Sequence, residues 1–390
     1  MTKAYHILTL ATLFPNATKP NFGIFVERQT NGLSNSPDFD VTVINPLGIP
    51  PWPLSTLERY KDLKSLPAHE NWNGLNIYRP RFTLIPAIGG ALNPRLIANA
   101  ILPLIKKLHN EKPFDLIDAE FFYPDGPAAM HIAREIGIPF SIKSRGADIH
   151  YWSRARGCKS QILKAADKAA GLLSVSAALK RDMGALGMDE DKVTVHYTGI
   201  DHSKFYPRER SAGKKKLGVK GPLLVCVAAL IERKNQDLII KAIAKIPDAT
   251  LIFAGMGPAR AQFENLAQAL GVADRVRFLG AVPHDQLPEI IAAADISCLV
   301  SESEGLANAW VESLASGTPL VISDVGGARE LVRSEIAGHI VDKDVDNIVK
   351  AIRDLIENPR DQKDVKDSVS HFSWDQNSKN LRAYFHAILD

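Results

Sequence analysis

The chain has 390 residues, of which 45% are hydrophobic and 23% are charged, and its formal net charge is +3. These values exclude a disordered or collagen-like chain, and they give no support to a nucleic-acid-binding role. The length is too great for one ordinary core and predicts two domains of roughly 200 residues each.

The first half alternates between strand-like apolar runs and patterned helical stretches. Tyr5–Leu13 is predicted as a strand rather than a signal peptide, because Pro15 follows where a cleavage site would lie. Further strands are predicted at Val41–Asn45, Leu75–Tyr78, Phe114–Ala119, Phe140–Lys143, Gly171–Val175 and Val193–His196. Helices are predicted between several of these strands, for example at Gly126–Ile136 and Ala177–Leu186.

The second half repeats this alternation. Its predicted strands are Leu223–Leu230, Thr250–Ala254, Val276–Leu279, Ile296–Val300 and Pro319–Ser323, and its helices are Gln236–Lys245, Ala259–Leu270 and Asp285–Ala293. We interpret the charged stretch Tyr206–Lys216 between the halves as a solvated linker. Alternation of this kind predicts an α/β fold with two Rossmann-like, doubly wound domains that face each other across a cleft. The first domain is assigned to residues 1–205 with a crossover helix at 372–390, and the second to residues 206–371.

The cysteines and the longest apolar run bear on the compartment. Cys158, Cys226 and Cys298 lie far apart in a pattern that matches no metal site, so we expect free thiols in a reducing compartment. The run Ile290–Val300 contains Asp295 and is much shorter than the ~20 residues that a membrane-spanning helix needs. The sequence therefore predicts a cytoplasmic protein.

Several residues follow predicted strands at the ends where doubly wound sheets bind ligands. Lys234 comes after the strand Leu223–Leu230, where its ammonium group can point toward a diphosphate. Gly280 ends another strand, and Gly23 lies in the long loop after the first one. No single residue is decisive, but their shared position predicts a cleft for a phosphorylated ligand.

The stretch Leu299–Glu330 contains Glu304 and Glu312, eight positions apart around a Gly-Leu-Ala-Asn turn. A strand precedes the first glutamate and a helix carries the second, so the N–H groups between them lie at a helix N-terminus, where anions bind. If the helix starts near Leu306, its geometry allows up to ~12 Å between the two carboxylates, enough to hold both ends of a nucleoside diphosphate ligand. An ordinary surface helix with two solvated glutamates is the alternative interpretation.

With these motifs in place, the chain resembles the retaining glycosyltransferases of the GT-B fold, in glycosyltransferase family 4, over nearly its whole length. The most specific matches in the second half are S-E-S-E-G-L-A-N-A-W-V-E-S-L-A-S-G-T-P-L-V at 301–321 and D-V-G-G-A-R-E-L-V at 324–332. The first half contributes Y-P-D-G at 123–126 and R-G-A-D at 145–148, and Y-T-G-I-D at 197–201 marks the junction.

The resemblance implies a metal-independent, retaining hexosyltransferase without a cofactor. It would move a hexose-type sugar from a nucleotide-diphosphate sugar to a hydroxyl of a glycan or lipid-linked acceptor, in cell-surface polysaccharide biosynthesis. Glu304 would bind hydroxyls of the donor sugar, Glu312 would bind the ribose, and Lys234 would neutralise the leaving diphosphate. The remaining donor contacts would come from the backbone of Gly23, of Gly280 through Val282, and of Gly305, Leu306, Ala307 and Asn308.

Two positions depart from the family pattern. The family usually has an arginine five residues before the diphosphate lysine, and this chain has Ala229 there. Arg233 or Arg145 could supply the second positive charge. Arg145 is itself the second departure, because many family members have histidine at that position and use it as a catalytic contact to the sugar.

Two D-x-D patterns, Asp38/Asp40 and Asp344/Asp346, match the motif that other glycosyltransferase folds use to bind a divalent ion. The first pair precedes a strand, at the end of the sheet away from the predicted cleft. The second pair fits a helix N-terminus, where acidic residues interact favourably with the macrodipole. We therefore expect both pairs on the solvated surface and predict no metal site.

The acceptor is the least defined partner. Residues 1–205 carry 24 Lys and Arg against 19 Asp and Glu, a small basic excess that suits a phosphate-bearing acceptor or an anionic membrane face. The apolar segment Ile85–Leu92 and the helix Leu96–Leu108 could contact the inner membrane surface, or could form an ordinary amphipathic helix under a loop. A nucleotide-sugar epimerase and a non-catalytic nucleotide-sugar-binding subunit remain alternative functions.

Overall fold

The computed structural model describes residues 4–86 and 90–390. The chain forms two compact units, one from the residues up to 199 together with 374–390, and the other from 200–373. The predicted boundaries lie at 205/206 and 371/372. The second unit begins earlier because the backbone N–H of Ile200 donates to the carbonyl of Phe372 (3.2 Å) and Ile200 forms a bridge with Ser373.

The first unit alternates strands and helices. Its strands are β1 (Tyr5–Leu10), β2 (Phe39–Ile44), β3 (Leu47–Ile49), β4 (His69–Trp72), β5 (Leu75–Tyr78), β6 (Arg81–Thr83), β7 (Leu116–Ala119), β8 (Phe140–Ser144), β9 (Gly171–Ser174) and β10 (Val193–Val195). Its helices before the second unit are α1 (Ile24–Ser34), α2 (Glu58–Ser65), α3 (Asn93–Glu111), α4 (Asp125–Ile136), α5 (Ala147–His150), α6 (Lys159–Lys168) and α7 (Ala177–Leu186).

Eight of these strands form one sheet, in the order β10-β9-β8-β7-β1-β2-β5-β4, and only the edge pair β4–β5 is antiparallel. The order reverses between β1 and β7, so the loops that follow these two strands lie side by side. The apolar residues of β1 and β7 are buried on both faces, as expected for central strands of a doubly wound sheet. Strands β3 and β6 form a separate parallel pair.

The second unit has a six-stranded, fully parallel sheet in the order β13-β12-β11-β14-β15-β16. Its strands are β11 (Leu223–Val227), β12 (Thr250–Ala254), β13 (Val276–Phe278), β14 (Ile296–Leu299), β15 (Leu320–Ser323) and β16 (Gly338–Val341). Its helices are α8 (Arg210–Lys216), α9 (Gln236–Ala244), α10 (Arg260–Ala269), α11 (Leu287–Ala293), α12 (Asn308–Ala315), α13 (Ala328–Leu331), α14 (Val345–Glu357) and α15 (Gln362–Asp367).

The last helix, α16 (Trp374–Leu389), returns to the first unit, as predicted for a crossover helix. It packs against α1, and its Leu381 and Phe385 are buried in the same core as Val26 and Leu33 of that helix. Full burial of such a side chain contributes about 1.5–3 kcal/mol, which explains why the helix stays with this unit.

The prediction of doubly wound α/β units is confirmed, and the predicted strand Thr250–Ala254 and helix Ala177–Leu186 have the bounds that the structure shows. The interpretation of Tyr206–Lys216 as a solvated linker is wrong for its second half. Residues Arg210–Lys216 form α8, which packs against α11. The charged stretch is anchored because Lys214 Nζ lies 2.5 Å from the carboxylate of Asp295, the residue just before β14.

Candidate active site

The site in the second unit lies where its sheet order reverses. Strands β11 and β14 are parallel neighbours, with Leu224 beside Ile296, so their carboxyl ends lie at the same edge. The loop after β11 carries Lys234 and the loop after β14 carries Glu304. This arrangement brings together two residues that are 70 positions apart in the sequence.

Lys234 and Glu304 form an ion pair. The Nζ of Lys234 donates to Oε1 of Glu304, and the two side chains are 11% and 9% exposed. Both charges act on a neighbouring thiol: burial raises the pKa of Cys226 to about 12, while Lys234 lowers it and Glu304 raises it. Cys226 is therefore an inert, protonated neighbour of the pair, not a nucleophile.

Asn235 connects the two loops. Its backbone has a left-handed conformation (φ 51°), and its Nδ2 donates to the carbonyl of Val300 and to Oε1 of Glu302, each at 2.9 Å. Arg233, two residues before Asn235, lies exposed on the same loop, with Nη1 donating to the carbonyl of Ser303 at 2.9 Å. The guanidinium of Arg233 is thus next to the residue that precedes Glu304, whereas Ala229 is an exposed position on the same loop.

The segment Gly305–Asn308 leads into α12, which begins at Asn308, two residues later than the start near Leu306 assumed for the ~12 Å separation of the carboxylates. No side chain caps this helix at Ala307. In its first turn the N–H of Trp310 donates to the carbonyl of Ala307 (3.0 Å), and the N–H groups of Asn308 and Ala309 precede it at the helix N-terminus, where anions bind. The segment rests on Gly326 (φ 51°), where an added Cβ would lie 2.3 Å from the carbonyl oxygen of Glu304. Only glycine therefore allows this approach.

Glu312 lies on α12 and is 7% exposed. Its Oε1 is 2.9 Å from Nε2 of His284, a residue of the loop that follows β13. The same loop contains the predicted base contacts: Gly280 has φ 73° and accepts from the N–H of Gly255 (2.9 Å), and Val282 is half-buried. The predicted donor-site residues of the second half therefore lie along one edge of one sheet.

The two remaining predicted residues belong to the first unit. Gly23 begins α1 with φ 74°, and an added Cβ would lie 2.6 Å from the backbone of Leu13. The side chain of Arg145 is 6% exposed: its Nε donates to the carbonyl of Glu120 (3.0 Å), its Nη2 donates to the carboxylate of the same residue, and its guanidinium lies 4.7 Å from the ring centre of Phe25. The charge of Arg145 is therefore already matched by Glu120.

A buried polar network that the sequence reasoning missed surrounds Glu120. Gln29 donates to Glu120 and accepts from Lys143 Nζ at 2.5 Å, and the same Nζ lies 2.6 Å from Nδ1 of His196. Burial holds the pKa of Lys143 and of His196 well below their ordinary values. The network joins β7, β8 and α1, and His196 extends it to the backbone of α16 through the carbonyl of Asn377 (2.9 Å).

The D-x-D residues have structural contacts. Asp344 caps α14 by accepting from the N–H groups of Asp346 and Asn347, and Asp346 pairs with Lys245 at 2.6 Å. Asp40 pairs with Lys112. Within residues 4–86 and 90–390, no group of three or more His, Cys, Asp or Glu side chains is arranged to bind a metal ion.

The predicted membrane segment is only partly described. Residues 87–89 of Ile85–Leu92 lie outside the described residues. The helix Leu96–Leu108 lies within α3, and the apolar side chains Ile97, Ile101 and Ile105 are buried, so its apolar face is occupied by the first unit itself. In the described part of the chain, no helix combines the length and the apolar character needed to cross a bilayer.

Comparison with known proteins supplies the family. Residues 207–371 match the model of the family described as glycosyl transferases group 1, and residues 30–204 match that of glycosyltransferase family 4. The chain belongs to glycosyltransferase family 4. The resemblance to this family is confirmed, and the protein is an enzyme of the glycosyltransferase class.

Two relatives illustrate the range of the family. The glycosyltransferase is 29% identical over 334 residues to a Bacillus subtilis protein named as the teichuronic acid biosynthesis glycosyltransferase TuaC, and the match covers 83% of this chain and 82% of TuaC. It is 35% identical over 178 residues to the GDP-mannose-dependent alpha-(1-6)-phosphatidylinositol monomannoside mannosyltransferase of Mycolicibacterium smegmatis. That second match covers 42% of this chain and 46% of the relative.

Solved structures of the same fold confirm the predicted GT-B class. Sucrose-phosphate synthase from Thermosynechococcus elongatus has a TM-score of 0.83 at 18% identity, with 98% of this chain and 99% of that chain covered. HepE of Anabaena, in complex with UDP-glucose, has a TM-score of 0.74 at 18% identity, with 98% and 99% covered. At these identities the similarity concerns the fold alone.

Proposed function

We propose that this glycosyltransferase transfers a hexose-type sugar from a nucleotide-diphosphate sugar, with retention of configuration, to a hydroxyl of a glycan or lipid-linked acceptor. The observation that carries the proposal is the buried Lys234–Glu304 pair at the reversal point of the second sheet, followed by the uncapped start of α12. An ammonium group and the N–H groups of a helix N-terminus at one place provide the charge and the hydrogen-bond donors that a diphosphate needs.

In the proposed reaction the bond from the anomeric carbon to the diphosphate oxygen breaks, and a bond to the acceptor oxygen forms on the same face. The leaving phosphate oxygen takes the proton of the acceptor hydroxyl. Lys234 stabilises the negative charge that develops on the diphosphate, Glu304 holds the sugar hydroxyls, and Glu312 holds the ribose. No cofactor or metal is part of this proposal.

Other family members usually have an arginine at the position that Ala229 occupies here. We propose that Arg233 supplies that second positive charge instead. Its guanidinium is exposed and lies on the segment that leads to Glu304. Arg145, the other candidate from the sequence, is buried and already paired with Glu120, which favours Arg233 for this role. Replacing Arg233 with Ala should weaken donor binding, whereas an unchanged donor affinity would remove Arg233 from the site.

The names of two relatives support the proposed acceptor class. One is named for teichuronic acid biosynthesis, and another is named for a phosphatidylinositol mannoside, so a cell-surface polysaccharide or a glycolipid is the proposed product.

Peripheral contact with the inner membrane surface is part of the proposal, as is the cytoplasmic location. Three exposed apolar side chains of the first unit support such contact, namely Trp52 (81%), Tyr151 (66%) and Leu92 (50%). Co-sedimentation with anionic vesicles should fall when Trp52 and Tyr151 are both replaced with Ser; unchanged sedimentation would remove this surface from the proposal.

A thermal-shift panel tests the donor site. UDP, GDP, ADP and their common sugar conjugates would be added in EDTA and without it, because a ligand that binds only the folded state raises the melting temperature. A shift with one nucleotide in EDTA that disappears in Lys234→Ala and Glu312→Ala supports the proposal. Transfer of labelled sugar to an acceptor extract, with the anomeric configuration read by NMR, then distinguishes a retaining transferase from an epimerase, which needs no acceptor, and from a binding subunit, which shows no turnover.

A further inference from the structure

His284 contacts the carboxylate that the proposed function assigns to the ribose. Its Nε2 lies 2.9 Å from Oε1 of Glu312, and the two side chains are 15% and 9% exposed. The imidazole also packs edge-on against the buried ring of Phe205, with ring centres 5.4 Å apart and planes at 72°. His284 thus contacts both Phe205 and the Glu312 carboxylate of α12.

The chemistry of the two groups determines which of them donates the hydrogen bond. An ionised carboxylate only accepts hydrogen bonds, so Nε2 carries the proton in this pair. A carboxylate buried to this degree needs such a donor to offset the loss of water. Because His284 occupies Oε1, it fixes the rotation of the carboxylate and leaves Oε2 to meet the ribose hydroxyls.

The position of His284 in the chain adds a second consequence. It lies two residues after Val282, in the loop whose backbone is predicted to meet the base. The same hydrogen bond therefore ties the base loop to the ribose helix α12. Displacement of either element would change the position of the Glu312 carboxylate relative to the base.

We propose that His284 is a positioning residue for Glu312, and that this pair makes the enzyme discriminate ribonucleotide from deoxyribonucleotide donors. The proposal rests on the proposed function, specifically on the ribose role of Glu312. A hydrogen bond to a charged group contributes about 1.5–3 kcal/mol, so the intact site should bind a ribonucleotide roughly 10- to 100-fold more tightly than its 2′-deoxy form.

The test compares dissociation constants of UDP and 2′-deoxy-UDP, and of GDP and 2′-deoxy-GDP, by titration calorimetry. His284→Leu removes the donor and should reduce the discrimination to about twofold or less, whereas His284→Gln keeps an N–H donor and should retain most of it. The control is His339→Leu, because His339 also pairs with a carboxylate of the same unit, Asp354 at 2.7 Å, away from this site. That variant should leave the discrimination unchanged.

Glu312→Gln distinguishes the positioning role of His284 from the ribose role of Glu312. If it abolishes discrimination while His284→Leu does not, the positioning role of His284 is overturned and the ribose role of Glu312 stands. If Glu312→Gln also retains discrimination, or if none of the nucleotides binds the wild type, both are overturned. Should His284→Leu fail to fold, His284→Asn serves the same comparison, because its shorter amide does not reach Oε1.

Discussion

Lys234 and Glu304 hydrogen-bond to each other, although each is assigned to a different part of the donor. The diphosphate and the Glu304 carboxylate are both negative, and both would draw on the same ammonium group. Binding of the donor therefore means that Lys234 is shared between them or transferred from one to the other. This competition has a measurable consequence.

Glu304→Gln should raise affinity for the free nucleoside diphosphate while lowering turnover. The amide oxygen still accepts from Lys234, but the removed negative charge no longer opposes the diphosphate, a difference of about 1 kcal/mol or roughly fivefold in Kd. Turnover should fall about 100-fold, because the sugar loses a charged acceptor. Glu302→Gln is the control, since Glu302 lies two residues away, exposed and paired with Lys343. A fall in nucleotide affinity together with turnover would contradict the competition and indicate that Glu304 serves to hold Lys234.

Gly326→Ala should abolish donor binding without removing any functional group. A Cβ at this position would meet the carbonyl oxygens of Glu304 (2.3 Å) and Gly305 (2.5 Å), so the segment that leads to α12 would have to move. The matched control is Gly218→Ala, where the backbone is similarly left-handed (φ 63°) and no atom of the described residues lies within 4 Å of the added Cβ. The left-handed backbone should cost Gly218→Ala about 1–2 kcal/mol of unfolding free energy and Gly326→Ala at least that much, because the clash adds to it. Only Gly326→Ala should lose nucleotide binding. Equal binding by the two variants would mean that the close approach is not needed.

Glu120→Ala should destabilise the first unit. It leaves the buried guanidinium of Arg145 and the amide of Gln29 without their shared partner, and breaking a buried pair costs on the order of 3 kcal/mol. Glu135→Ala is the control, because Glu135 is exposed and its contacts with Arg134 and Lys106 are of the surface kind, which contribute about 0–1 kcal/mol. Urea denaturation measures both. A loss of similar size in the two variants would refute a structural role for the buried network.

Asp125→Asn should make the enzyme more stable above neutral pH. Burial raises the pKa of Asp125 to about 7, and among the residues described its Oδ1 has no hydrogen-bond partner while Oδ2 accepts from the N–H of Thr12 (2.9 Å). The folded state therefore binds a proton at Asp125 more tightly than the unfolded chain does. This protonation stabilises the folded state fully below about pH 4, and the stabilisation is lost as the pH rises through about 7.

Asparagine keeps the acceptor and stays neutral at every pH. The gain in unfolding free energy of Asp125→Asn over the wild type should be larger at pH 8 than at pH 5.5 by roughly 2 kcal/mol. Asp62→Asn, at an exposed position of α2, should show no such pH dependence. A pH-independent difference for Asp125→Asn would mean that Asp125 stays ionised in the folded enzyme.

The sequence by itself determined the class of fold and most of the second-unit site. Buried parallel strands are continuous apolar runs, so the sequence alone indicated β11, β12 and β14. The glycine, lysine and glutamate residues that follow the strands indicated which edge of the sheet binds the ligand. The helix α8 was not predicted from the sequence, because its own composition is that of a linker. Its stability comes from contacts with α11 and Asp295, which are remote in sequence.

Only the tertiary structure decided which side chains pair. No local pattern connects Lys234 with Glu304, His284 with Glu312, or Glu120 with Arg145; the sheet order places each pair together. The physical reason is that a parallel sheet brings the ends of non-consecutive strands to one edge, so contacts there depend on topology and not on spacing along the chain. Residue types and their strand-end positions can be read from the sequence, whereas the partner of each charge is set by the fold.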